Sequence, residues 1–91
     1  MKVKFQAILE VDAALKAVER NGDALRYVKE QTEAICLKAL ENDGDALQYV
    51  KEQTEAVCLK ALENDGYALR YVKDKDLFIK VAEALDIDIE F

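Results

Sequence analysis

Apolar residues along this chain recur at three- and four-residue spacing and not in alternation, the period of a helix rather than a strand. The pattern is also copied. Asp23–Gly44 is followed by Asp45–Gly66, and only Arg26/Gln48 and Ile35/Val57 differ, so of 22 positions all but 2 are identical. A third copy opens with Tyr67-Ala68-Leu69-Arg70-Tyr71-Val72-Lys73 and drifts through Asp76 to Leu85, while Gly22, Gly44 and Gly66 keep the same beat. Upstream, Leu15–Gly22 echoes Leu37–Gly44 and Phe5 falls where Tyr27 would stand, which makes the first unit partial or altered.

Each unit reads as two helices joined by a turn. In the shorter one Ala24, Leu25 and Val28 share a face, with Tyr27 at its edge; in the longer one Ala34, Ile35, Cys36, Leu37, Ala39 and Leu40 cover most of the circumference, as for a helix buried between neighbours. Asp23 and Asp45 are expected N-caps of the first helix, and Thr32 and Thr54, each followed by Glu, of the second. Asn21-Gly22, Asp43-Gly44 and Asp65-Gly66 are expected to supply a left-handed residue that ends the longer helix. Helices of roughly 8 and 11 residues are marginal alone, so their stability must come from stacking. The expectation is an all-α fold: a short α-solenoid of about three and a half 22-residue helix-turn-helix repeats. It forms one domain over 1–91, with a partial first unit 1–22, repeats 23–44, 45–66 and 67–86, and a tail 87–91.

The two ends depart from the repeat. Met1-Lys2-Val3-Lys4-Phe5 and Ile87-Asp88-Ile89-Glu90-Phe91 alternate apolar and charged residues, which predicts short extended segments. Such segments either fold over a terminal helix as caps, or place Ile87, Ile89 and Phe91 against a partner or a second copy, giving a homodimer.

Composition narrows the function classes. Hydrophobic residues make up 52% and charged residues 35% of the 91, the balance of a folded globular chain. No apolar run approaches the roughly 18 residues a membrane span needs, and Met1–Leu9 lacks the layout of a secretory signal, so a cytoplasmic protein is expected. A formal net charge of -6 opposes binding to nucleic-acid phosphates or anionic membranes. Cys36 and Cys58 occupy one duplicated position among Ile, Leu and Ala, and read as small buried hydrophobes in a reducing compartment.

The chain has no His, Ser, Trp or Pro. The commonest general base, the serine nucleophile and most zinc constellations are therefore missing, and neither an enzyme, a cofactor nor a metal site is expected. Asp43, Asp45 and Asp65 cluster at turns, where capping accounts for them, and no phosphate-cradling glycine loop occurs. Tyr27, Tyr49 and Tyr71 recur every 22 residues and should line one side of the stack, and Tyr67 adds a fourth ring where Asp23 and Asp45 stood. The rings either close the core with their hydroxyls at the surface or present amphipathic contacts to a partner. Lys29, Lys51 and Lys73 form a charged row beside them, though near-identity of the units means neutral positions were copied along with useful ones.

Ala17-Val18-Glu19-Arg20-Asn21-Gly22-Asp23-Ala24-Leu25-Arg26-Tyr27-Val28 resembles the repeat of a family known only as a domain of unknown function, found in bacteria and large DNA viruses. That repeat has the pattern Ala-Val-x-x-Asn-Gly-x-Ala-Leu-x-Tyr-Ala followed by a Leu-rich second helix. The likeness spans most of residues 13 to 73 and departs at Val28, Val50 and Val72, where the family often has Ala. It implies tandem helical hairpins and carries over no catalytic residue or ligand. Two functions remain open: a non-enzymatic module that binds another protein through Tyr27, Tyr49, Tyr67 and Tyr71, or a small acidic inhibitor or nucleic-acid mimic that occupies a basic groove of a host protein.

Overall fold

In a computed structural model the backbone is described for residues 5–87 and the side chains for residues 10–87. Four α-helices alternate with three short 3₁₀ helices: α1 (Phe5–Arg20), η1 (Gly22–Tyr27), α2 (Glu33–Asn42), η2 (Gly44–Tyr49), α3 (Glu55–Asn64), η3 (Gly66–Tyr71) and α4 (Lys75–Ala84). The described residues contain no strand. The α-helices lie side by side in one layer and the 3₁₀ helices in a second, and α2 and α3 each pack on the 3₁₀ helix before them and on the one after. The result is an elongated all-α stack measuring 50 × 28 × 17 Å.

The shorter helix of each unit is six residues of 3₁₀ rather than a two-turn α-helix. A segment this short is closed by tight bonds such as Val28 N–H to the Leu25 carbonyl at 3.0 Å, and an extended Val28, Val50 or Val72 follows it. Between the layers run rungs of equivalent residues: Leu25 and Leu47, Ile35 and Val57, Cys36 and Cys58, Ala39 and Ala61, Leu40 and Leu62, all buried. Each leucine contributes about 1.5–3 kcal/mol by leaving water, and none could do so in an isolated hairpin. The α-helices are not buried all round, since Ala34 and Ala56 face solvent.

Thr32 and Thr54 cap α2 and α3, each accepting from the N–H three residues on at 3.2 Å. The expected caps Asp23 and Asp45 are displaced by two residues. Asn21, Asp43 and Asp65 cap the 3₁₀ helices instead, accepting at 3.0 Å from the N–H of Asp23, Asp45 and Tyr67. Asp43 and Asp65 also donate their own N–H to Ala39 and Ala61, so one extended residue ends an α-helix and starts a 3₁₀ helix. Tyr67 consequently replaces no cap.

No glycine is left-handed, contrary to the turn chemistry read from the sequence. The glycines serve close approach. A Cβ on Gly22 would stand 2.6 Å from the Ala39 carbonyl oxygen, and one on Gly44 would stand 2.7 Å from that of Ala61. The next α-helix thus rests its C-terminal turn directly on the glycine backbone.

At the N-terminal end Phe5 begins α1, so it is helical rather than extended; residues 1–4 lie outside the described residues. At the C-terminal end stands Asp86, the one left-handed non-glycine residue among the described residues, with φ 55. Asp86 N–H reaches the Glu83 carbonyl at 3.1 Å and Ile87 N–H the Ala82 carbonyl at 2.9 Å, a turn that folds half-buried Ile87 back onto the core. Ile89 and Phe91, also expected to cap or dimerise, lie outside the described residues.

Candidate interaction surface

The 3₁₀ layer positions all four tyrosines, but not alike. Tyr49 and Tyr71 are half-buried and pack on the core, whereas Tyr27 is 76% and Tyr67 80% exposed. Tyr27, Tyr49 and Tyr71 end their helices and share one edge; Tyr67 stands at the second position of η3. Adjacent rings are bridged by a cation: the Arg26 guanidinium lies 5.1 Å from the centre of the Tyr27 ring and 5.6 Å from that of Tyr49. Arg70 repeats half of this, 4.8 Å from the Tyr71 ring, and approaches Asp45 Oδ1 at 4.0 Å. Gln48 takes arginine's place in the middle unit and donates to the Asp45 carbonyl at 3.1 Å.

Two amides per unit hold the stack together, and sequence reasoning passed over both. Gln31 Nε2 donates to the Tyr49 carbonyl at 2.8 Å while Oε1 accepts from Lys51 N–H at 2.9 Å. Gln53 repeats the pair on Tyr71 and Lys73 at the same 2.8 and 2.9 Å. In the other layer Asn42 donates to the Val18 and Glu19 carbonyls at 3.1 and 2.7 Å, and Asn64 to those of Leu40 and Glu41 at 2.9 and 2.8 Å. These are last-turn carbonyls with no partner inside their own helix. The repetition of Gln31/Gln53 and Asn42/Asn64 was visible, but their partners lie 18 to 24 residues away.

A shallow groove of about 290 Å³ runs between successive loops, bordered by Lys29, Gln31, Cys36, Lys51 and Val57. Burial pushes the Cys58 thiol up to about 11, and burial followed by the nearby Glu33 charge raises that of Cys36. A raised thiol is the reverse of an activated nucleophile. Along the unit junctions Asp43 and Asp45 are also raised: first by burial, then by neighbouring carboxylates, chiefly Asp23 at Asp43 and Asp65 at Asp45. One oxygen of Asp45 is shielded from solvent without a hydrogen-bond partner. No group of three or more His, Cys, Asp or Glu among the described residues is arranged to hold a metal ion, and no described helix is long and apolar enough to cross a membrane.

Two layers of helices, locked by repeated amides and carrying a tyrosine–arginine edge, define a helical-repeat domain. The chain belongs to the family described as domain of unknown function (DUF4116), whose model matches residues 12–55 and again 32–78. The two matches begin 20 residues apart (32 minus 12) and end 23 apart (78 minus 55), close to one repeat, so the family unit spans about two hairpins. No curated protein and no solved structure matches the chain.

Proposed function

We propose that this chain is a non-enzymatic protein-interaction module whose binding surface is the outer edge of the 3₁₀ layer. The observation that carries this reading is Tyr67, 80% exposed at a position where the two preceding units have aspartate. A bulky ring there adds little to the core, and together with Arg70, Tyr27 and Arg26 it supplies the side-chain types enriched where proteins meet. The raised thiols, and the lack of a histidine to serve them, speak against nucleophilic chemistry.

The test pairs binding with stability. Tyr67→Ala should leave the unfolding free energy within about 0.5 kcal/mol of the parent, as for an exposed site, while weakening capture of a partner by about tenfold or more. Tyr71→Ala, which removes a ring packed on the core, should lose stability as well. A partner retained undiminished by Tyr67→Ala and Arg26→Ala but released by moderate salt would instead support the acidic-mimic reading, for which the carboxylate row of Asp23, Asp43, Asp45 and Asp65 would be the contact.

A further inference from the structure

Among the described residues the edge of η1 is an unfilled copy of a seat that the chain fills twice. On η2 and η3 the carbonyl of the terminal tyrosine and the N–H two residues later bind a primary carboxamide: Tyr49 and Lys51 take Gln31, and Tyr71 and Lys73 take Gln53. The matching groups on η1 are the Tyr27 carbonyl and the Lys29 N–H. Among the described residues neither has a hydrogen-bond partner. The cause is visible in the backbone. In later units the α-helix is preceded by a loop that carries the glutamine, whereas α1 runs on as uninterrupted helix from Phe5, through the positions where that loop would lie. Tyr27 is accordingly 76% exposed, and Val28 only half-buried where Val50 is fully buried.

From this geometry we infer that the η1 edge is a binding site for a glutamine side chain carried on a segment of a partner protein that bends as residues 26–31 do in this chain. Both filled seats specify the occupant's carboxamide, and the Gln31 seat adds a cation that the Gln53 seat lacks, since Gln48 stands five residues before Gln53. Its carboxamide donates to the Tyr27 carbonyl and accepts from Lys29 N–H, and a guanidinium five residues earlier lies over the Tyr27 ring as Arg26 lies over Tyr49. The partner is therefore a segment of the form Arg-x-x-x-x-Gln, the spacing of Arg26 and Gln31. A second copy of this chain is a poor source, because Arg26 and Gln31 are the one arginine–glutamine pair at that spacing in its sequence and Gln31 is engaged within its own stack. Such a contact presupposes the interaction role proposed above and adds the chemical group that the module takes.

The probe is a synthetic peptide with the sequence of residues 24–33, ended as an N-methylamide so that its glutamine is its one primary carboxamide. It is titrated into the full chain by amide-resolved NMR beside a peptide carrying Gln31→Glu. The glutamine peptide should move the Lys29, Val28 and Tyr27 signals. The glutamate peptide, which offers a charge and no donor to the Tyr27 carbonyl, should bind roughly tenfold or more weakly. Equal responses to both peptides, or no response at millimolar concentration, overturn the inference. So does a Lys29 N–H protected from exchange in the free chain as strongly as Lys51 and Lys73, since the seat would then already be filled. Shifts confined to Tyr67 and Arg70 overturn the η1 seat while leaving the module reading standing.

Discussion

Gly44 and Gly66 occupy the same place in successive units, yet adding one methyl group to each should move stability in opposite directions. The Cβ of Gly44→Ala would lie 2.7 Å from the Ala61 carbonyl oxygen and 2.8 Å from Asp65 Cβ. Ordinary contacts are about 3.5–4 Å, so α3 must back away from η2 by roughly half an ångström or more. No rotamer relieves the clash, because the atoms struck belong to the backbone or are attached to it. Backing away also pulls Asn64 from the Leu40 and Glu41 carbonyls that it holds at 2.9 and 2.8 Å. Overpacking of this kind costs about 1–3 kcal/mol. At Gly66 a new Cβ meets nothing within 4 Å, and the residue is not left-handed. There alanine only narrows the unfolded ensemble, a gain of about 0.4–1 kcal/mol. The two variants thus differ by about 1.4–4 kcal/mol, and at about 4–8 °C per kcal/mol for a domain this size their thermal midpoints should separate by roughly 6 °C or more. Thermal melts followed by far-UV circular dichroism read this directly. Comparable losses in the two variants, or a lower midpoint for Gly66→Ala, would refute close approach as the role of the repeated glycine.

Gln53→Ala leaves the Tyr71 carbonyl and Lys73 N–H without their partner and should cost about 1–3 kcal/mol, read as a lower urea midpoint; an unchanged midpoint would mean water replaces the amide freely. Asp43 and Asp45 bind protons more tightly folded than unfolded, so their stabilising contribution is complete below the unfolded value of 3.8 and is lost as pH rises through the raised folded values. The melting midpoint should therefore climb as pH is lowered from neutral through the raised folded values toward 3.8, and Asp43→Asn, which keeps the capping acceptor that Asn21 already provides, should raise the midpoint at neutral pH and flatten that climb. A native chain whose melt is flat over that interval would contradict the carboxylate repulsion. With Cys58 fully buried and its thiol near 11, an aromatic disulfide reagent should label the native chain only at the rate of unfolding, and rapid labelling without denaturant would exclude that burial.

The rungs of the core were legible because helical periodicity and a 22-residue copy specify the same residues: Leu25, Ile35, Ala39 and Leu40 are buried in one unit and their counterparts in the next. Thr32 and Thr54 were legible because a threonine before Glu is a local signature whose partner lies three residues away. Asp23 was misassigned beside Asn21 because both are good cap residues two positions apart, and the choice follows from a 3₁₀ helix that starts at the glycine. Glycine itself is ambiguous on paper, since a positive φ and a missing Cβ call for the same residue; only the Ala39 and Ala61 carbonyls distinguish them. Gln31 and Asn42 carry no local signal, and in a chain copied almost verbatim their recurrence was indistinguishable from that of neutral neighbours. Of the tyrosine edge, the register of Tyr27, Tyr49 and Tyr71 was readable, but not the arginine between the first two rings.

The end of the stack follows from one short link. Four residues separate Tyr49 from the Thr54 cap (Val50–Gln53), but only Val72 and Lys73 separate Tyr71 from the Asp74 cap, so the glutamine is gone and α4 starts early. Counted from the caps, Val81 falls where Ala61 was and Ala84 where Asn64 was. α4 does not rest on Gly66, where a Cβ would meet nothing within 4 Å, and alanine cannot reach the last carbonyls of α3; the layer closes instead with buried Val81 and Ala82 and the Asp86 turn. Because link length, stitch and contact residue all changed, shrinking one of them should not restore the repeat. Val81→Ala is expected to lose stability by leaving a void, and combined with Gly66→Ala to remain additive within about 0.5 kcal/mol in urea unfolding. If α4 could settle into the repeat position once Val81 is trimmed, the alanine at 66 would strike it as one at 44 strikes α3, and a coupling energy well above that limit would show that side-chain size, not link length, ends the solenoid.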